Sequence, residues 1–402
     1  MKRLVVCCDG TWNRADSKHV TNIEKIARTV ETDLLPGARP GDPPVQQMVV
    51  YLSGVGTSGY LADRLLGGAF GFGLFENVSS GYRWLALNYE PGDEIFVFGF
   101  SRGAYTARSL VGMIGRVGLL TRDSLIADQL PEAVDRYRRR RPDSRSWHGS
   151  SDRRFREVNS HAGVTVAFLG VFDTVGALGV PGAFWRRHQF HDVELSDAVL
   201  CARQALAVDE HRMKFEPSLW EASADGAGAP AEPDPVDPRV KQVWFEGAHS
   251  DVGGGYAATG LSDTALEWMT KEAESRGLRF DEPLLATYAE SGSAAVRHNS
   301  TTFAYHVLNL GSRTRLRLRP PRTPHFHGDQ RVLARAGALS VGIASSTATH
   351  YRDDCADHQR AARTAGAGAD APREWYRPAN LVAFDDQTHG FVGREEQVVA
   401  HP

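Results

Sequence analysis

Ser101 lies at the centre of the pentapeptide Gly99-Phe-Ser-Arg-Gly103, and its flanks are of the kind that make a serine a nucleophile. The preceding run Asp93–Gly99 predicts a short buried strand, and the following run Ala104–Ile114 predicts a helix. A serine on a sharp turn between a strand and a helix is known as a nucleophile elbow. The residues two before and two after it must lack bulk, and both are glycine here. The alternative interpretation is a serine that caps a helix after a glycine turn, without chemistry.

A serine hydroxyl needs a base, and the base needs an acid that fixes its tautomer. Asp173 ends the apolar run Val164–Phe172, where an unpaired carboxylate is costly, so it is either this acid or the cap of the next turn. His249 lies in a glycine-rich loop after the run Val240–Phe245 and is either the base or a loop histidine bonded to its own backbone. Because the order Ser, Asp, His is typical of elbow enzymes, the sequence predicts Ser101 as nucleophile, His249 as base and Asp173 as acid.

Further polar groups are predicted beside these three residues. Asp251, two residues after His249, can be the acid, orient the histidine or shape the turn. Asp173 is preferred as the acid because that residue normally comes from a different strand end. The backbone N–H of Arg102, directly after the serine, is the first predicted oxyanion donor. The second is predicted from Gly10 and Thr11, since glycine permits close backbone approach, and Asp9 before them either holds this loop or lines the site.

Elements that would position these residues can be read along the chain. Short apolar runs predict buried strands at Leu4–Cys8, Gln47–Leu52, Glu94–Phe98, Val164–Phe172 and Val240–Phe245. Helical patterns alternate with them at Asn22–Asp33, Leu74–Tyr89, Arg102–Val117 and Ser196–Val208. This alternation predicts an α/β fold, a mostly parallel sheet with helices on both faces, whose sites form beyond the carboxyl ends of the strands. We expect a single domain over residues 1–402, with insertions near 121–161, 222–238 and 361–372.

Composition restricts the partners and the location. A formal net charge of −3 argues against a nucleic-acid partner, because binders of nucleic acid usually carry a basic excess. Cys7 and Cys8 are adjacent in a predicted strand, so they point to opposite faces and do not suit a disulfide with each other. The first apolar run is too short for a signal peptide, and no run approaches the roughly 20 residues that span a bilayer. The sequence therefore predicts a cytoplasmic protein, or one exported without a signal peptide.

Two other classes of function compete with the serine mechanism. Asp9, Asp173, His249 and Asp251 could converge on one divalent ion and support phosphoester hydrolysis, but this leaves the glycines around Ser101 without a purpose. The chain could also be a binding module without catalysis. In that case the basic run 136–141 is a docking surface. In a hydrolase the same run could draw anionic lipid headgroups to the site, or it is a solvated helix face.

No cofactor is predicted. The stretch Gly54–Gly59 matches the glycine pattern of dinucleotide-binding loops, G-x-G-x-x-G. The acid that such sites place about 20 residues further on, at the end of a second strand, is not found, since Glu76 falls in a helical pattern.

Six short blocks together resemble a bacterial and fungal α/β-hydrolase family, whose best known members are phospholipase effectors of the type VI secretion system. The blocks are Cys8–Asn13, Gly54–Thr57, Gly99–Arg108, Gly170–Gly176, Ala207–Arg212 and Gly247–Tyr256, with Trp375–Leu381 as a later extension. The resemblance implies Ser101 as nucleophile, Asp173 as acid and His249 as base, acting on fatty-acyl esters of phospholipids. A secreted effector and a housekeeping or secondary-metabolism esterase are equally consistent with it.

Overall fold

A computed structural model describes most of the chain. The described residues are 1–10, 19–37, 43–54, 69–138, 150–175, 195–213, 215–221, 239–289, 296–300, 326–327, 330–333, 339–364, 376, 378–388, 390–391 and 394–396. Thr11, residues 55–57, Gly176, residues 139–141 and residues 222–238, all singled out in the sequence, lie outside this part. So do residues 365–372 of the third expected insertion.

Strands of the described residues form one nine-stranded sheet and one two-stranded hairpin. In chain order they are β1 (Lys2–Cys8), β2 (Leu34–Leu35), β3 (Val45–Leu52), β4 (Glu94–Phe100), β5 (Phe168–Phe172), β6 (Ala202–Ala207), β7 (Val240–Phe245), β8 (Phe326–His327), β9 (Gln330–Arg331), β10 (Val341–Ala344) and β11 (Glu395–Glu396). The order across the sheet is β11-β10-β7-β6-β5-β4-β1-β3-β2, and only β2 pairs antiparallel. The predicted α/β class with a mostly parallel sheet is therefore confirmed.

Helices fill the connections between these strands. They are α1 (Asn22–Thr29), α2 (Ala69–Asn88), α3 (Arg102–Val117), α4 (Arg122–Ile126), α5 (Leu130–Arg138), α6 (Ser150–Asn159), α7 (His249–Gly253), α8 (Gly260–Glu274), α9 (Glu282–Ala289), α10 (Ser345–Thr364) and α11 (Ala379–Thr388). In the described part of the chain, none of them combines the length and the apolar character needed to cross a bilayer.

Both faces of the sheet are covered. One face packs with α2, α3 and α5 around a core that includes Cys8, and the other packs with α1 and α8 around a core that includes Cys7. The two cysteines thus point to opposite faces, as predicted, and both are free thiols. A third cluster joins β7 and β10 to α10 and α11. Continuous apolar strands suit this arrangement, because each strand is buried from two sides.

The chain changes direction at β1. It runs from β1 to β3 on one side and then returns to β4 on the other side of β1. The carboxyl ends of β1 and β4 therefore flank a crevice where the connections diverge, which is where open α/β sheets place their sites. Asp9 follows β1, and Ser101 follows β4.

One predicted element is wrong. The helix expected over Ser196–Val208 is replaced by strand β6, which pairs in parallel with β5 and β7. Its residues, Ala-Arg-Gln-Ala-Leu-Ala, are good helix formers, but all six are buried between two neighbouring strands. Burial and pairing on both edges outweigh the small differences in intrinsic propensity. The first expected insertion, 121–161, contains α4, α5 and α6.

Candidate active site

The turn between β4 and α3 holds Ser101 in a strained backbone conformation. Its φ is 58° and its ψ is −121°, a combination that non-glycine residues rarely adopt. Its N–H donates to the carbonyl of Phe172 at 3.0 Å, which ties this turn to the end of the neighbouring strand β5. Ser101 is only 6% exposed. The strand, the sharp turn and the helix lie at the residues for which the sequence predicts them.

The two glycines of the pentapeptide are required by close backbone contacts. A methyl group on Gly99 would lie 2.6 Å from the Cα of Ala104, in the first turn of α3. A methyl group on Gly103 would lie 2.2 Å from the carbonyl oxygen of Cys8 and 2.4 Å from that of Asp9. Because neither residue has a side chain, the start of α3 packs directly against the end of β1. Ser101 and the Asp9 loop therefore lie at the same crevice.

Asp173 and His249 are joined by a short hydrogen bond. Nδ1 of His249 lies 2.6 Å from Oδ2 of Asp173, and both side chains are buried. Asp173 follows β5 directly, with a φ of 39°, and His249 is the first residue of α7, which follows β7. The loop after β7 therefore brings the histidine to the strand end that carries the aspartate. The bond at Nδ1 leaves Nε2 on the other side of the ring.

Arg331 makes a second, two-pronged contact with Asp173. Nη1 donates to Oδ1 at 2.6 Å and Nη2 donates to Oδ2 at 3.0 Å, and neither side chain is exposed. Burial alone would raise the pKa of Asp173, but the guanidinium of Arg331 and the hydrogen bond from His249 hold that pKa well below its usual range. The carboxylate is therefore ionised at neutral pH, and Nδ1 of His249 carries the shared proton.

The imidazole of His249 packs against two aromatic rings. Its centroid is 4.7 Å from that of Phe100 and 5.0 Å from that of Phe215. Its backbone N–H donates to Oε2 of buried Glu210 at 3.4 Å. Burial lowers the pKa of His249, against the opposing effect of Asp173, so the ring is neutral at pH 7.

No hydrogen bond joins the side chains of Ser101 and His249. Phe100, whose ring lies beside the imidazole, directly precedes Ser101. Among the described residues, the hydroxyl of Ser101 takes part in no hydrogen bond, whereas its backbone is bonded to Phe172 and Tyr105. Catalytic hydrogen bonds are often long before substrate binds and shorten in the reacting complex.

Asp9 holds the loop after β1. Its Oδ1 accepts the N–H of Gly10 at 2.6 Å, and its Oδ2 accepts the hydroxyls of Thr21 and Tyr51, each at 2.6 Å. These contacts are of the kind expected for the loop-holding role of Asp9, and its place at the site stays a prediction. The Gly10 N–H would have to give up this bond to reach a substrate oxygen, whereas the N–H of Arg102 lies at the first position of α3.

Among the described residues, no hydrogen bond joins Asp251 to the ring of His249. Its Oδ2 accepts the N–H of Ala248 at 3.0 Å, which caps α7, and its Oδ1 pairs with Nδ1 of His298 at 2.6 Å. Of the four residues of the alternative metal site, Asp173 and His249 thus pair with each other, whereas Asp9 and Asp251 have other partners. Within the described residues, no group of three or more histidine, cysteine and acidic side chains is placed to hold a metal ion.

The described part of the basic run is engaged within the protein. Arg136 pairs with Glu132 at 2.8 Å and with Asp152 at 3.1 Å. The guanidinium of Arg138 lies 4.6 Å from the ring centroid of Phe75. Residues 136–138 are therefore packed and partly neutralised, unlike a row of solvated cations.

Several residues around the site were missed by sequence reasoning. A short segment, 296–300, brings His298 to Asp251 and the Ser300 hydroxyl to Glu210, where it donates at 3.1 Å. Glu210 lies in the block Ala207–Arg212, which could have pointed to it. Arg331 and His298 stand in no recognisable motif, so only their folded positions identify them.

Fold and site together define an α/β-hydrolase-like protein. A family model described as the catalytic domain of Tle1-like phospholipase effectors of the type VI secretion system (T6SS) matches residues 2–272. The chain therefore belongs to this Tle1-like catalytic-domain family. Arg331 and the segment 296–300 lie beyond the matched residues.

The chain is also similar to individual proteins. The uncharacterized protein YEL023C of Saccharomyces cerevisiae is 30% identical over 233 residues, which are 54% of this chain and 32% of the yeast protein. A structure of the Tle1 effector bound to the VgrG spike of the Type 6 secretion system is 18% identical with a TM-score of 0.33, covering 64% of this chain and 51% of that one. A crystal structure of an uncharacterized protein from Pseudomonas aeruginosa is 16% identical with a TM-score of 0.39, covering 98% and 64%. The chain thus spans about a third of the yeast relative and about half of the effector.

Proposed function

We propose that this protein is a serine hydrolase that cleaves carboxylic esters of lipids through an acyl-enzyme. One observation carries the proposal: a strained, buried serine follows β4, and a hydrogen-bonded Asp173–His249 pair is formed by residues that follow β5 and β7 at the same edge of the sheet. In this proposal Ser101 is the nucleophile, His249 the general base and Asp173 the group that orients the base. Such backbone strain is typical of a turn that presents a nucleophilic hydroxyl to a substrate.

The proposed reaction begins with the neutral imidazole. Nε2 of His249 takes the proton of the Ser101 hydroxyl as its oxygen attacks the ester carbonyl, and the imidazolium then donates that proton to the leaving alcohol. The ionised carboxylate of Asp173 stabilises the imidazolium while it exists. Water, activated by the same histidine, hydrolyses the acyl-enzyme and restores the serine.

The developing oxyanion would be bound by the start of α3. The N–H of Arg102 is the first donor, and the positive end of the helix dipole adds to it. A single such donor typically contributes about 3 kcal/mol to transition-state stabilisation. Gly103 supports this role, because its close contact with β1 fixes the first turn of α3 in place.

Membership in the phospholipase effector family supports an acyl ester of a phospholipid as the substrate. The chain covers only part of its relatives, so their activities are extended to it here as a proposal. A phospholipid acyl ester also suits the chemistry of the site, which is built for attack on a carbonyl group. The proposed products are a fatty acid and a lysophospholipid.

The test compares wild type with Ser101→Ala on p-nitrophenyl esters of increasing chain length and on phosphatidylcholine vesicles. We expect Ser101→Ala to lose activity by about 10⁴-fold or more, with an unchanged circular dichroism spectrum. Ser109→Ala is the matched control, since Ser109 is also a buried serine, in the second turn of α3, and its loss leaves the elbow intact. A fluorophosphonate probe should label wild type and Ser109→Ala but not Ser101→Ala.

Two results would count against the proposal. Activity of Ser101→Ala within about tenfold of wild type would remove the serine from the mechanism, because loss of a nucleophile normally costs far more. Loss of activity with EDTA, restored by a divalent ion, would favour the metal-dependent alternative. We expect EDTA to leave the rate unchanged.

A further inference from the structure

Each oxygen of the Asp173 carboxylate accepts two hydrogen bonds. Oδ1 accepts Nη1 of Arg331 at 2.6 Å and the N–H of Ala207 at 3.1 Å. Oδ2 accepts Nδ1 of His249 at 2.6 Å and Nη2 of Arg331 at 3.0 Å. Because each oxygen has two donors, the carboxylate cannot rotate without breaking several charged hydrogen bonds at once. The direction of its bond to the imidazole is thereby set.

Arg331 is itself fixed. Its Nη1 also donates to the carbonyl of Ala207 at 2.9 Å, and its Nη2 donates to the carbonyl of Phe215 at 2.6 Å. The guanidinium is planar and its donors form a rigid fork, so these four contacts define its position fully. A lysine could supply the charge but not this geometry.

The short strand β9 that carries Arg331 is anchored to the rest of the fold. The side chain of Gln330 accepts the N–H of Asn380 at 3.1 Å, and the indole N–H of Trp244 donates to the carbonyl of Leu333 at 3.3 Å. Trp244 belongs to β7, the strand that leads to the His249 loop. The C-terminal third of the chain thus reaches into the site from outside the segment that the family model covers.

We propose that Arg331 is a positioning residue for catalysis, which holds the Asp173 carboxylate aligned with the imidazole of His249. This inference rests on the proposed serine mechanism. It adds that the mechanism depends on a cation supplied by the C-terminal third of the chain. Arg331 reaches His249 only through the shared carboxylate and contacts no reacting atom.

A cation at this position also sets the proton affinity of the pair. The guanidinium opposes an added positive charge nearby, so it disfavours protonation of the Asp173–His249 pair as a unit. Its removal should let the pair take up a proton at higher pH. A residue with a purely structural role would change stability without this effect.

The experiment uses the full chain with Arg331→Met and Arg331→Lys. Arg203→Met is the matched control, because Arg203 is likewise a fully buried arginine paired with an acid, Glu272, but it lies on β6 away from the catalytic pair. Three quantities are measured for each variant: kcat and KM on an ester, the pH dependence of kcat/KM, and the titration of His249. The titration is followed by NMR of ¹⁵N-histidine-labelled protein, with His249→Gln to assign the signal.

We expect Arg331→Met to lower kcat by about 10- to 100-fold with little change in KM, as for residues that orient a catalytic group. The acid limb of kcat/KM and the NMR titration should both move up by about one pH unit. Arg331→Lys keeps the charge, so it should keep the wild-type titration and yet lose kcat. Arg203→Met should leave kcat and the titration unchanged.

A folded Arg331→Met with the wild-type titration and kcat would overturn the inference. If that variant does not fold, Arg331→Lys decides, and wild-type kcat in it would overturn the inference equally. Failure of the serine mechanism has a different signature, since Ser101→Ala would then stay active. The NMR titration of His249 reports on Arg331 in either case.

Discussion

The contact between α3 and the end of β1 makes Gly103 a sensitive backbone position of the proposed site. In Gly103→Ala the new methyl carbon would lie 2.2 Å from the Cys8 carbonyl oxygen and 2.4 Å from that of Asp9. Ordinary contacts of this kind are about 3.4 Å or more, so α3 and β1 must separate by about 1 Å. Both clashing atoms belong to the backbone and cannot rotate away.

Such overpacking costs about 1–3 kcal/mol of folding stability. Because the unfolding entropy scales with length, at about 2.1 cal/mol/K per residue, each kcal/mol lowers the Tm of a 402-residue chain by only about 1 °C. The effect on kcat should be larger in proportion than the effect on Tm, because the shift moves the turn at Ser101 away from Asp9 at the end of β1. A displacement of about 1 Å at a reacting group can reduce the rate by about 100-fold.

The assay measures Tm by circular dichroism and kcat on a p-nitrophenyl ester. Gly81→Ala is the matched control. Its methyl group would meet only side-chain atoms within 3.4 Å, those of Leu110 and Leu52 at 3.2 Å, and it lies inside α2, where alanine is the better helix former. We expect Gly81→Ala to keep both kcat and Tm near wild type. Wild-type kcat in Gly103→Ala would refute the reasoning that this close approach fixes the site.

Two further predictions concern the charged groups. The acid limb of kcat/KM should have its midpoint below the usual histidine pKa of 6.5, because burial lowers the pKa of His249. The general base is lost only as the pH falls through that lowered pKa. A midpoint above 6.5 in a pH-rate profile would contradict this prediction. Asp251→Asn should lower Tm, since Asp251 caps α7 and pairs with His298, and it should reduce kcat by less than about tenfold. Asp173→Asn, in contrast, should reduce kcat by about 10⁴-fold. Equal losses of kcat in the two variants would contradict that division of roles.

Local pattern was enough to predict the elements that carry the site. The turn at Ser101 requires glycine on both sides, and the apolar runs before and after it are long enough to indicate a strand and a helix without any distant contact. The parallel sheet also follows from local pattern, because strands buried on both faces read as continuous apolar runs. Asp173 and His249 were predicted from their places at strand ends, and their roles stay a prediction.

Tertiary packing decided what local pattern could not. The run that forms β6 is composed of helix formers, and only its burial between β5 and β7 makes it a strand. The partner of Asp251 is His298, and the cation on Asp173 is Arg331, 158 residues away in sequence. When two paired charges are far apart in sequence, no motif or periodicity beside one of them indicates the other. The interaction energy of such an ion pair depends on the distance and burial of the two groups in the folded protein, and those are properties of the tertiary structure alone.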